Sequence, residues 1–276
     1  MSIERSDAEI SRDIAREAGQ LLLSIRRDFL TENGPITDKQ TANRLRDTAD
    51  ATSNELILDR LAAARPDDAV LSEEAKDDPA RLDAERVWIV DPLDGTWEYG
   101  QDRADFAVHI ALHVAHPTQA ELHACTVDLP AQHITRSVLD SVTPVDLPDD
   151  RPLRLVASRS RPPATLEATR EALARILRQA KVNDYGVEII DVGSVGAKVN
   201  EILAGRAEAY IHDTGFYEWD VAAPYGVAMH YGLRAAHVDG EPVTFNHLPP
   251  YVNDLVVSHS QLYPYLQQAL SEASGS

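Results

Sequence analysis

Val87-Trp88-Ile89-Val90 is an unbroken apolar run that passes without a spacer into Asp91-Pro92-Leu93-Asp94-Gly95-Thr96. Such a run reads as a buried strand, and its exit carries two carboxylates three positions apart, with Gly95 permitting a tight turn into the next segment. A shorter run, Ala69-Val70-Leu71, ends in the same way on Ser72-Glu73-Glu74. The expected fold therefore contains a sheet whose strand ends present acids, and function often sits at such ends. Hard divalent cations favour this arrangement, because magnesium takes oxygen ligands from a few carboxylates, a backbone carbonyl and a substrate phosphate. The same run also reads as a strand followed by an Asp-Gly turn with two helix-capping acids. Taken alone, it leaves both readings open.

Ser6 followed by Glu9 is a capping-box pattern, and Ile10, Ile14, Leu21, Leu22, Ile25 and Phe29 recur behind it at helical spacing. A second helix is expected over 42–64, ended by Pro66. The segments 106–115, 120–129 and 133–139 read as a meander of strands packed on these two helices. Thr143 to Pro152 is rich in Pro and Asp and reads as a connection, dividing the chain into subdomains 1–145 and 146–276 of one catalytic unit. Beyond it, strands and helices alternate as α/β layers: a strand from 153, a helix over 163–179, a strand over 187–192, a helix over 194–203, a strand over 207–212 and a helix over 219–230. A short helix over 262–273 closes the chain. The fold class is α+β.

The 276 residues carry a formal net charge of −19, which repels polyanions and argues against nucleic acid polymers and anionic membranes as partners. No window is apolar enough to cross a bilayer, and no signal-like segment opens the chain. A single cysteine, Cys125, excludes an internal disulfide and a thiolate zinc or iron–sulfur cluster, so the cytoplasm is the expected compartment. The ten histidines are scattered, without metal-ligand spacing, and read as surface or structural.

A third acidic station, Glu218-Trp219-Asp220, precedes the small residues Val221-Ala222-Ala223. The three stations together resemble the motifs of the lithium-sensitive, magnesium-dependent phosphatase family that contains inositol monophosphatase: D-P-[IL]-D-G-T at Asp91, Ser-Glu-Glu at Ser72, and W-D-x-A-A at Trp219. The similarity covers nearly the whole chain and extends to element order. It implies a layered α-β-α-β-α sandwich and two or three magnesium ions per site. By the same resemblance, Glu73, Asp91 and the carbonyl of Leu93 would hold one ion, and Asp91, Asp94 and Asp220 a second, with Asp91 bridging. The backbone N–H groups of Gly95 and Thr96 would receive the phosphate, and Thr96 would position the attacking water. The family's V-T-x-x-D segment, whose acids help order that water, is matched at Asp50. Asp47 stands where the Thr would be, either substituting for it or capping a helix.

Within the family, Glu98 resembles the acidic residue of the 3′(2′),5′-bisphosphate nucleotidases, and Ser194 with Lys198 resembles a pair lying near their nucleotide. A lysine there can reach a second phosphate, or it can be a solvated lysine on a helix surface. Trp97 departs from the expected Lys or Arg and also reads as an aromatic covering the site. The phrases around Arg86–Asp91 and Phe106–Ala111 look like the actinobacterial members that act on 3′-phosphoadenosine 5′-phosphate. The resemblance thus implies removal of the 3′-phosphate from that small-molecule substrate, with inositol 1-phosphate or another sugar phosphate as the alternative substrate. A non-catalytic nucleotide-binding relative is the alternative of another class, although such relatives usually lose ligand carboxylates and all four are present here. A homodimer is compatible with the resemblance, and no pattern names its interface.

Overall fold

Two long helices open the chain, α1 (Asp7–Asn33) and α2 (Lys39–Ala64), in the computed structural model, which describes residues 5–116, 121–143 and 146–275. Ser6 accepts from the Glu9 N–H while the Glu9 carboxylate accepts from the Ser6 N–H, closing the capping box anticipated from the sequence. Helix α2 starts ahead of its apolar pattern because Asp38 accepts from the Thr41 N–H and caps it.

The first sheet follows: β1 (Ala69–Ser72), β2 (Arg86–Asp94), β3 (Ala107–Val114), β4 (Glu121–Leu129) and β5 (Ile134–Ser137), with the single turn α3 (Thr96–Tyr99) between β2 and β3. These strands lie side by side in chain order, β1 parallel to β2 and the others antiparallel. Ala120, expected to start β4, lies outside the described residues. Trp88, Val90, Val108, Ile110 and Leu112 pack under the opening helices with Ile14, Leu22, Leu45 and Ile57. Val87 and Ile89 join a second core on the opposite face, with Ala107, Ala111 and Val127. Burial on both faces explains why the β2 sequence shows no polar alternation. Each large side chain so buried contributes roughly 1.5–3 kcal/mol.

The remaining elements are β6 (Leu153–Ser158), α4 (Leu166–Gln179), β7 (Val187–Val192), α5 (Val195–Leu203), β8 (Ala209–His212), β9 (Phe216–Tyr217), α6 (Glu218–His230), β10 (Arg234–Ala236), β11 (Tyr251–Val252), β12 (Leu255–Ser258) and α7 (Tyr263–Ser274). The second sheet runs β10-β12-β8-β6-β7, with β6 parallel to both neighbours, and β9 pairs separately with β11. Helix α4 begins at Leu166 rather than at Pro163, after a turn closed by the Leu166 N–H donating to Pro163 O at 3.1 Å.

Helices α5 and α6 fill the space between the sheets: Val195, Ala197, Val199, Val221, Ala222 and Val227 share one core with Ile89 and Val127 on one side and Val156, Tyr210 and Val257 on the other. Gly196 sets how closely α5 approaches, because a Cβ there would lie 2.5 Å from His109 Nε2 and 2.6 Å from Val127 Cγ1. Helices α4 and α7 cover the outer face of the second sheet through Leu173, Leu177, Leu266 and Leu270. The five layers are therefore α1/α2, first sheet, α5/α6, second sheet, α4/α7, as the resemblance implied. Residues 144–145, at the expected subdomain junction, lie outside the described residues.

Candidate active site

In a regular strand, side chains three apart point to opposite faces. Asp91 follows the parity of Val87 and Ile89, so without an irregularity Asp94 would be aimed under α1 and α2. The ladder between β2 and β3 shifts at this point: Asp91 pairs with His109 and Asp94 with Ala107, so β2 holds one residue more than its partner. This β-bulge turns both carboxylates into one cleft. Gly95 ends the bulge at φ 87°, and a Cβ there would lie 3.2 Å from both Asp105 O and Phe106 Cα, so only glycine fits without strain.

Each acid has a distinct local anchor. Asp91 Oδ1 accepts from the Leu93 N–H at 2.9 Å, while its buried Oδ2 has no hydrogen-bond partner among the described residues. Asp94 Oδ2 accepts from the Val195 N–H at 2.6 Å, capping α5, a helix of the other half of the chain. No side chain caps α3, the helix after the Asp-Gly turn, so of the capping alternative only the contact of Asp94 with the start of α5 is found, and it leaves Asp94 in the cleft. Asp220, at the third position of α6, accepts from the Tyr217 N–H at 2.8 Å. Glu73 follows the end of β1 and is exposed at the lip of the cleft, with its N–H donating to Val90 O at 3.2 Å.

Bringing these acids together raises the proton affinity of Asp91, Asp220 and Glu73. Burial, then repulsion from Glu73, Asp94 and Asp220, pushes the Asp91 carboxyl well above the usual carboxylate range. Burial followed by the Asp94 charge pushes Asp220 up to about 8, and Glu73, an exposed residue that nevertheless lines the cleft, is raised to about 7 chiefly by partial burial of its carboxyl there. On α2, burial and the charges of Glu74, Glu73 and Asp47 raise Asp50 to about 8. Asp47 is exposed in the interior of α2, whose cap is Asp38, so it does not cap a helix.

Glu73, Asp91, Leu93, Asp94, Gly95, Thr96, Glu98, Lys198 and Asp220 all line one cleft of about 260 Å³. It opens where the ends of β2, β6, β7 and β8 meet the starts of α3, α5 and α6. Asp47, Asp50 and Ser194 do not line it. Ser194 instead caps α5, its Oγ accepting from the Ala197 N–H at 3.0 Å. Lys198 is neither solvated nor on a helix surface: it is buried, its Nζ donates to Gly193 O, and burial lowers its pKa. Glu98 is buried against Arg159, with Nη1 to Oε1 at 2.7 Å.

Sequence reasoning missed Arg159, Arg161 and His109. The arginines follow β6 in the phrase Ser158-Arg159-Ser160-Arg161, a strand end that delivers charge as β1 and β2 do, but with the opposite sign. His109 is fully buried, its Nε2 lies 3.5 Å from Asp94 Oδ2, and burial lowers its pKa. Its burial excludes the surface reading, and it sits against a site acid. Among the described residues, Asp91, Asp94 and His109 bring ligand atoms within 4.8 Å of one another. An unpartnered buried carboxylate oxygen among acids of raised proton affinity, all hard oxygen donors, fits a divalent cation.

The layers and the cleft define an α-β-α-β-α sandwich protein with an acidic, cation-fitting site at its strand ends. The model of the inositol monophosphatase family matches residues 4–274, and the chain belongs to that family. It is 40% identical to a 3′-phosphoadenosine 5′-phosphate phosphatase of Mycobacterium bovis, over 93% of this chain and 90% of that protein. Among solved structures it resembles CysQ from Bacteroides thetaiotaomicron, at 26% identity and TM-score 0.65 over 92% of this chain and 97% of that one. The inositol monophosphatase-II of Staphylococcus aureus shares the fold, at 18% identity and TM-score 0.70 over 94% and 92%.

Proposed function

We propose that this chain is a magnesium-dependent phosphomonoesterase that converts 3′-phosphoadenosine 5′-phosphate and water to AMP and inorganic phosphate. The observation that carries the hydrolytic reading is the convergence of Glu73, Asp91, Asp94 and Asp220 in one cleft, with Asp91 Oδ2 unpartnered. The nucleotide reading is supported by the 40% identity to the mycobacterial phosphatase.

Glu73, Asp91 and the Leu93 carbonyl would hold one magnesium ion, and Asp91, Asp94 and Asp220 a second, in a site of two or three ions. Bound magnesium supplies Lewis-acid stabilisation of phosphoryl oxygens and a lowered pKa for water. The N–H groups of Gly95 and Thr96 donate to the transferring phosphate, Thr96 orients the attacking water, and Asp47 and Asp50 help order water beside Glu73. Water oxygen bonds to phosphorus as the bond to the 3′-oxygen breaks, and that oxygen takes up a proton to become the 3′-hydroxyl. No side-chain nucleophile is needed. Glu98, Ser194 and Lys198 belong to the substrate side, Ser194 by fixing the start of α5. No helix among the described residues is long and apolar enough to cross a membrane. With a single cysteine in the chain, the proposed compartment is the cytoplasm.

Phosphate release from 3′-phosphoadenosine 5′-phosphate, inositol 1-phosphate and fructose 1,6-bisphosphate, measured side by side with and without magnesium, tests the reading. The adenosine bisphosphate is the expected best substrate, and a preference for inositol 1-phosphate overturns the assignment. Asp94→Asn keeps an oxygen to cap α5 and is expected to lose metal-dependent turnover. Equal activity in variant and wild type would remove the metal role of Asp94.

A further inference from the structure

The cleft carries three cationic side chains, and they are not equivalent. Arg159 is fully committed: Nη1 meets Glu98 at 2.7 Å, Nη2 meets Asp105 at 2.9 Å and Nε meets Asp191 at 2.8 Å. Lys198 is buried and spends a proton on Gly193 O. Arg161 is exposed, and its guanidinium has no hydrogen bond or ion pair among the described residues. It lines the cleft together with Lys198 of α5, His212 of β8 and Asp220 of α6.

The backbone beneath Arg161 is already set. Its N–H donates to Ser158 Oγ at 3.2 Å, and Pro162-Pro163 follow, restricting the turn on the other side. A cation presented on a stiffened loop loses little freedom when an anion arrives.

Charge bookkeeping then singles it out. Glu73, Asp91, Asp94 and Asp220 would be matched by the cations they hold, and Glu98 is matched by Arg159. Arg161 and Lys198 are left as lining cations that form no ion pair among the described residues, and of the two Arg161 is the exposed one. A substrate with one phosphate, placed on Gly95 and Thr96, leaves the arginine idle. We propose that Arg161 is a specificity-determining residue that receives the second phosphate of a bisphosphorylated substrate, taking its oxygens on the guanidinium fork. The inference rests on the nucleotide reading above and deepens it by naming the residue that separates a bisphosphate from a monophosphate.

The test compares kcat/KM for 3′-phosphoadenosine 5′-phosphate and for adenosine 3′-phosphate, which shares the scissile bond but lacks the second phosphate. In wild type the bisphosphate is preferred. In Arg161→Met that selectivity ratio falls about ten- to hundredfold, the span expected for one charge-assisted, forked contact. Arg161→Lys keeps the charge without the fork and recovers part of the ratio. Calorimetric binding of adenosine 5′-phosphate weakens about tenfold or more in Arg161→Met and loses much of its salt dependence. Circular dichroism confirms that each variant is folded, which the exposure of Arg161 favours. A wild-type ratio near one overturns the nucleotide reading and the inference together. A wild-type preference that Arg161→Met leaves intact overturns the inference alone.

Discussion

Replacing Arg159 with methionine removes the one cation shared by Glu98, Asp105 and Asp191, and the three acids respond unequally. Asp191 is mostly exposed and loses little. Asp105 keeps Arg103 at 3.0 Å and the Gly193 N–H at 2.9 Å. Glu98 is the acid left buried without an ion-pair partner among the described residues, and burial already raises its proton affinity while Arg159 lowers it. Breaking a fully buried pair costs about 3–5 kcal/mol. Arg159 retains about a quarter of its side-chain exposure, so a cost of about 2–3 kcal/mol is expected when Glu98 must stay ionised. A proton offers an escape. Its uptake caps the cost at about 1.4 kcal/mol for each pH unit above the ordinary value of 4.5. The ceiling is near 5 kcal/mol at pH 8 and lies above the expected cost, but at pH 5.5 it is only about 1.4 kcal/mol. Without Arg159 the folded-state pKa of Glu98 rises further, so the variant loses stability as pH rises from the unfolded value through the folded one. Urea unfolding of wild type and Arg159→Met at pH 5.5 and 8, without added metal, reads this directly. The destabilisation should grow by about 1–2 kcal/mol between the two, and Glu98→Gln placed on Arg159→Met should flatten it. A destabilisation equal at both pH values refutes the reasoning.

Asp128 is buried beside α1, accepts from Thr135 Oγ1 at 2.7 Å, and is raised by burial to about 6. Its folded state holds the proton more tightly than the unfolded chain. The stability this brings is complete below about 4 and is lost as pH rises through about 6. Asp128→Asn should therefore gain about 1–3 kcal/mol relative to wild type between pH 4 and pH 7.5, seen as a flatter stability–pH curve in denaturant titrations. Gly196→Ala inserts a methyl 2.5 Å from His109 Nε2 and 2.6 Å from Val127 Cγ1. Pushing α5 off the sheet should cost about 1–3 kcal/mol, and a thermal melt unchanged from wild type would contradict the close approach described here.

The layers were legible because their signals are local. The run Val87–Val90 states its burial by lacking alternation, the Ser6/Glu9 box marks a helix start, and the acids at Glu73, Asp91 and Asp220 lie at element ends that periodicity alone locates. What escaped depends on neighbours that sequence order does not name. His109 meets Asp94 because β3 pairs with β2 in a register that sets it opposite Asp91. Arg159 meets Glu98 because β6 lies inside the second sheet, between β8 and β7, with its end facing α3 across the cleft. Ser194 and Lys198 sit on the expected helix, yet the cap at Ala197 and the burial of the lysine are products of packing between the sheets.

The extra residue in β2 has a consequence for anyone wishing to move this acid pair onto another scaffold. Strand side chains repeat every second position, so an odd spacing ordinarily separates two groups by the thickness of a sheet. Copying Asp91 and Asp94 into a regular strand would bury one of them beneath helices, while a spacing of two or four would keep both on one side. Removing Leu93 from this chain would restore a regular ladder with β3 and leave both acids on the cleft face, now two positions apart. It would also delete the carbonyl offered between them. The third position thus serves to interpose a main-chain oxygen between two carboxylates on a single face, a donor set that an unbroken ladder, with its carbonyls turned toward neighbouring strands, does not offer.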